Sequence, residues 1–140
     1  MSLQVSIVHK GIIMQSFKQI TESENSSKID AFIGMCLMSV TYMHSAHFAT
    51  GSYSQHKAYE GFYEDMQDLV DKFTEIHIGI TGRYKPVLKT ENVLDTVAYL
   101  RKIANEANEI YESVDSSLKN ILDEIKSLCY QTIYKLTKLS

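Results

Sequence analysis

One hundred and forty residues, 44% hydrophobic and 22% charged, suffice for one domain with its own core. A net charge of −3 excludes nucleic-acid binding by bulk positive charge, and the absence of an apolar run near the ~20 residues that span a bilayer excludes a membrane helix. Two cysteines in apolar helical patterns, Cys36 and Cys129, exclude a disulfide framework and read as buried thiols.

One proline and six glycines favour long helices over many short strands. Residues 1–27 read as an N-terminal arm, partly helical and docked on the body. Leu3, Val5 and Ile7 alternate briefly like a strand, whereas Ile13, Phe17 and Ile20 fall at helical spacing. Ser6, His9, Lys10 and Gly11 interrupt the apolar residues from Leu3 to Ile13, which is not a signal-peptide plan, so a cytoplasmic location is expected. Residues 23–27, SENSS, predict a break with Ser27 as an N-cap.

Residues 28–140 predict a four-helix bundle. The first helix is expected from Lys28 to Ala49, with Ile29, Phe32, Ile33, Cys36, Leu37, Val40 and Met43 as its core stripe and His44 and His47 extending it. After the turn Thr50-Gly51-Ser52, a second helix is expected from Ser54 to Ile80, ended by Gly82 and Pro86. The longest link follows. A third helix is expected from an N-cap at Thr90, with Val93, Leu94, Val97, Leu100, Ile103, Ala104, Ala107 and Tyr111 apolar. A fourth starts near Asp115 or Ser116 and carries Leu118, Ile121, Leu122, Ile125, Leu128, Cys129, Ile133 and Leu136 at spacings of three and four.

The second helix has two occupied sides. Tyr59, Phe62, Met66, Leu69, Val70, Phe73 and His77 form its apolar face. His56, Glu60, Asp71 and Glu75 follow one another at steps of four, eleven and four residues. Such steps turn a helix by only about 40°, 20° and 40°, so these four side chains share one stripe. A solvated polar face accounts for that pattern, and so does a metal site. Glu60 and Asp71 lie about 16 Å apart along the axis, too far for one ion. Two antiparallel copies across a twofold would set His56 and Glu60 of one chain against Asp71 and Glu75 of the other, giving two identical sites. His44 and His47 stand near enough in sequence to join.

With these residues laid out, the chain resembles the ferritin-like superfamily, and within it the mini-ferritins, the starvation-induced DNA-binding proteins, as a divergent and phage-like member. The resemblance rests on His47-Phe48 ending the first helix, Gly51 in the loop, and His56, Glu60, Asp71 and Glu75 along the second. It covers residues 28–139. It implies a ferroxidase centre across a dimer twofold, with His47, His56 and Glu60 from one subunit and Asp71 and Glu75 from its mate. It further implies a hollow dodecamer that binds iron, oxidises ferrous ion with peroxide or oxygen, and stores the ferric mineral. Hard carboxylates with borderline imidazoles suit iron.

The chain departs from the family at several positions. His47 and His56 are nine residues apart, about a turn shorter than the usual interval, while His44 lies twelve before His56, so either His44 or His47 is the candidate ligand. Glu60 stands where aspartate is usual, and Phe48 where tryptophan is. Tyr59 and Tyr63 are further aromatic candidates, with core packing the simpler role. Lys10, Lys18 and Lys28 are offset by Glu22 and Glu24, so weak DNA binding at most is expected. The alternative to an enzyme is a structural or assembly protein, a virion component, that keeps the scaffold without the chemistry. Ile12, Ile13 and Phe17 would then serve interaction.

Overall fold

A computed structural model describes the main chain of residues 2–140 and the side chains of residue 16 and residues 18–140. Its described residues form four α-helices and one 3-10 turn, with no strand: α1 (Ser2–Ala49), α2 (Tyr53–Thr81), α3 (Thr96–Ile110) and α4 (Ser116–Lys138), the turn being Tyr111–Ser113. The all-α expectation holds. α1 packs on α2 and α3, and α4 packs on the same two, so α1 and α4 face each other across the bundle diagonal.

Caps set most boundaries. Ser52 Oγ accepts the Gln55 N–H at 3.3 Å and opens α2. Gly82, at φ 68°, closes it by donating its N–H to the Ile78 carbonyl at 2.7 Å, a left-handed turn that favours glycine. Asp115 opens α4 by accepting the Ser117 N–H at 3.0 Å. Those Ser117 bonds hold the Asp115 carboxyl below the usual carboxylate range.

Two sequence expectations are corrected. The helix is unbroken through Ser23–Ser27, so Ser27 caps nothing. Serine and asparagine cost a helix only a few tenths of a kcal/mol each, less than ending and renucleating it. Lys18 to Glu24 are exposed, and Glu22, Asn25 and Ser26 line a pocket with the end of α2. The side chains of Leu3, Val5, Ile7, Ile12, Ile13 and Phe17 fall outside the described residues. The second correction is that α3 starts at Thr96, capped by Asp95, not at Thr90. Thr90 to Asp95 belong to the link, which runs extended over the groove between α1 and α3.

Tertiary contacts hold that link. The Tyr42 hydroxyl accepts the Glu91 N–H at 2.8 Å and donates to the Lys89 carbonyl at 3.5 Å. Gly34 on α1 lies directly under the Val87 carbonyl. The link ends where Thr96 Oγ1 meets the Tyr59 hydroxyl, 2.9 Å away near the start of α2. The far ends of α2 and α3 also meet, around Ile80, Thr81, Ser113 and Val114. α2 and α3 are therefore parallel, and the link is a crossover that retraces the length of the bundle.

The core fills from all four helices, with Phe32 and Phe73 edge to face at 5.7 Å and Ala104 and Ala107 allowing close approach of α3. The apolar face expected for α2 is the buried one. Leu37, at 39% exposed, and Leu94, at 87%, lie outside the core, and Val40 is half-buried. Cys36 and Cys129 are free buried thiols; burial raises both, Cys129 to about 12.

His77 is buried on Phe73 at the end of α2, with no hydrogen bond to its ring among the described residues. Burial lowers its pKa below the ordinary 6.5, with Asp30 opposing and Arg83 assisting. The native protein thus binds fewer protons at His77 than the unfolded chain does. The associated stability is present above about pH 6.5 and is lost as pH falls through the native value. Urea melts from pH 7.5 to pH 5 should show a steeper loss for the wild type than for His77→Leu. Parallel losses would remove His77 as the cause.

Candidate metal centre

The turn between α1 and α2 is three residues long, so the last turn of one helix faces the first turn of the other. Ser52, Thr50 and Gln55 set its geometry: Thr50 Oγ1 donates to Gln55 Oε1 at 2.7 Å and accepts the Ser52 N–H at 3.2 Å. This brings His47 over His56. Their rings stack with centroids 3.5 Å apart and planes 22° from parallel.

The pair is joined reciprocally. His47 Nδ1 lies 2.8 Å from the His56 carbonyl oxygen, and His56 Nδ1 lies 2.9 Å from the His47 carbonyl oxygen. A carbonyl only accepts, so both Nδ1 atoms carry the proton. In the neutral rings, each Nε2 then presents a lone pair. Metal-binding histidines are oriented by the same kind of bond from the other ring nitrogen.

Around this pair the aromatic residues form a partial wall. His44 is exposed, stacked on Tyr63 at 4.2 Å and on Phe48 at 4.8 Å. The sequence placed His44 and His47 together on the core stripe; the fold buries His47, stacked on His56, and leaves His44 exposed against Tyr63 and Phe48. Tyr63 meets His47 edge-on at 5.5 Å, and burial raises its phenol pKa. Tyr59 is a core residue bonded to Thr96. Phe48 and Tyr53, 74% and 75% exposed, flank the pair.

Glu60 lies one turn along α2 from His56. Its carboxyl is held below the usual range, first by hydrogen bonding and charge from Lys57 and further by the nearby His47 and His56 rings. Lys57 Nζ is 2.6 Å from Glu60 Oε2. Sequence reasoning passed over Lys57, although its spacing of three from Glu60 is the signal for such a pair. Asp71 and Glu75 are exposed on the distal half of α2, and the chain does not bring them to the histidines. Among the described residues, no three His, Cys, Asp or Glu side chains cluster closely enough to hold an ion. No helix among them is long and apolar enough to cross a membrane.

Comparison with known proteins places the chain. A model described as a family of unknown function, DUF5856, matches residues 47–136. The chain belongs to this family. The matched span opens on His47 and takes in His56, Glu60, Asp71 and Glu75, leaving His44 just outside. An uncharacterized 14.6 kDa protein in the mobD-ri intergenic region of Enterobacteria phage T4 is 35% identical over 124 residues, covering 86% of this chain and 97% of that protein. No solved structure matches it.

Imidazole nitrogen and carboxylate are donor types that iron, zinc and cobalt accept, but within one chain His47, His56 and Glu60 are not gathered closely enough to hold an ion.

Proposed function

We propose that the chain is a ferritin-like, iron-handling protein of the mini-ferritin type. It binds ferrous ion at a site shared across a homodimer twofold, oxidises it, and stores or detoxifies the product. The observation that carries this reading is the stacked His47–His56 pair beside the α1–α2 turn, in which both Nδ1 atoms are taken by main-chain carbonyls and, among the described residues, neither Nε2 is. The single long crossover between α2 and α3 supports it, since ferritin-like bundles have one such connection.

His47, His56 and Glu60 hold the ion from one subunit. Asp71 and Glu75 of the partner subunit complete the site in this reading. Two such sites per dimer follow from the symmetry, and further association builds a shell, a dodecamer by resemblance. Ferrous ion is the substrate, and peroxide or oxygen takes its electron. The chain's own residues orient the imidazoles, supply negative charge and wall the site with Tyr63 and Phe48. The location expected for this activity is cytoplasmic, with little DNA binding.

Anaerobic ferrous titration followed by peroxide tests this reading, comparing wild type with the His56→Ala, Glu60→Ala double variant. The wild type should bind about one or two ions per chain and oxidise them rapidly, and the variant should do neither. Absence of binding by wild type, with the oligomer intact by light scattering, overturns it. A structural or assembly role as a virion component is the second reading. The Lys57–Glu60 ion pair, which occupies a ligand carboxylate, and the phage T4 relative favour it. A metal-free oligomer indifferent to iron would support that role.

A further inference from the structure

The far end of α2 borders a cavity remote from the histidine pair. Residues of α1, the last turns of α2 and the turn before α4 enclose about 140 Å³ there. Liquid water takes about 30 Å³ per molecule, so the space exceeds one bridging water and suits a ligand of a few heavy atoms.

The polar lining of this cavity is uncommitted. Glu22, Asn25, Ser26, His77, Arg83 and Ser113 line it, and among the described residues none of these side chains forms a hydrogen bond or an ion pair. His77 is 4% exposed, and buried polar groups nearly always have a partner. Among the described residues, Thr74 Oγ1 is the side-chain polar atom that is both sealed from solvent and unbonded. The His77 nitrogens are unbonded but not sealed, so they open on the cavity that the ring lines.

Charge narrows the ligand class. Glu22 and Arg83 line the same cavity with opposite charges, yet stand too far apart to pair with each other. Asp115, also in the lining, is already held by the Ser117 N–H at 3.0 Å and the Ser117 hydroxyl at 2.7 Å. A simple anion would meet Glu22, and a simple cation would meet Arg83. A ligand carrying both charges satisfies the two at once. Ile29, Val114 and Leu118 add an apolar wall for a short side chain.

We propose that this cavity binds a small zwitterion, an α-amino acid with a short side chain, its carboxylate toward Arg83, its ammonium toward Glu22 and the His77 ring as a hydrogen-bond partner. The cavity lies about 30 Å along α2 from His56, so the proposal stands apart from the metal-site reading.

The test follows the His77 ring signals of the full chain by NMR, with L-alanine as the probe. Acetate and ethylamine serve as half-ligands, each carrying one of the two charges. Wild type should bind L-alanine with a Kd of about a millimolar, an ordinary strength for so few heavy atoms. Either half-ligand should bind at least about fivefold more weakly, having lost one charge-assisted partner. Arg83→Gln and Glu22→Gln should each weaken L-alanine binding about threefold, the scale of one exposed ion pair. Lys85→Gln, a like loss of charge outside the cavity, should leave it unchanged. Thermal melts confirm the fold of each variant. His77 signals that stay unmoved at tens of millimolar L-alanine overturn the proposal and leave a water-filled cavity. Equal binding of acetate or ethylamine overturns the zwitterion. L-alanine binding indifferent to either charge variant overturns the assigned pairing.

Discussion

Gly34→Val should lower the thermal midpoint by roughly 8 °C, corresponding to a loss of about 2–3 kcal/mol for a domain of this size. A Cβ on Gly34 would fall inside the van der Waals shell of the Val87 carbonyl oxygen, and the neighbour there is main chain. Main chain cannot rotate aside, so either α1 bends or the crossover lifts from its groove. Lifting it strains the Tyr42 bonds to Lys89 and Glu91 as well. The matched control is Gly61→Ala in α2, where a Cβ meets nothing within 4 Å. That change should raise stability by up to about 1 kcal/mol, the ordinary helical preference of alanine over glycine. If Gly34→Val and Gly61→Ala shift the melt equally, close approach at Gly34 is not what the glycine provides.

His47→Ala should cost about 2–4 kcal/mol by urea unfolding without added metal. His47 is 7% exposed, so truncation leaves a cavity, and it also removes the hydrogen bond that His47 Nδ1 donates to the His56 carbonyl. His56→Ala should cost less, because His56 is only partly buried. The reciprocal bonds and the 3.5 Å stack make the two changes non-additive, with a coupling above about 1 kcal/mol in a double-mutant cycle. Additive effects would mean that the rings are neighbours without being a unit. The cycle also separates two roles of the pair: metal-free stability reads its structural part, and ferrous titration reads its ligand part.

The candidate site was legible where residue type and spacing sufficed. His56, Glu60, Asp71 and Glu75 share a stripe because a 29-residue helix repeats with a fixed period, and the helix is present as expected. The choice between His44 and His47 was not legible. The two are three residues apart on α1; what separates them is that His47 meets the first turn of α2 at His56, across the turn held by Thr50, Ser52 and Gln55. The tautomer of the pair was equally hidden, since it is set by carbonyls nine residues away.

The sequence by itself determined the all-helical class, the buried face of α2, the cap at Gly82 and the start of α4 near Asp115. Each follows from periodicity or from the local bonding of one or two residues. Only the tertiary structure decided where α3 begins. Thr90 and Glu91 form a sound local start, but the Glu91 N–H and Lys89 carbonyl are taken by Tyr42, nearly fifty residues earlier. Those bonds pin residues 89–91 onto α1, and the cap that starts α3 is Asp95, whose carboxylate accepts the Ala98 N–H.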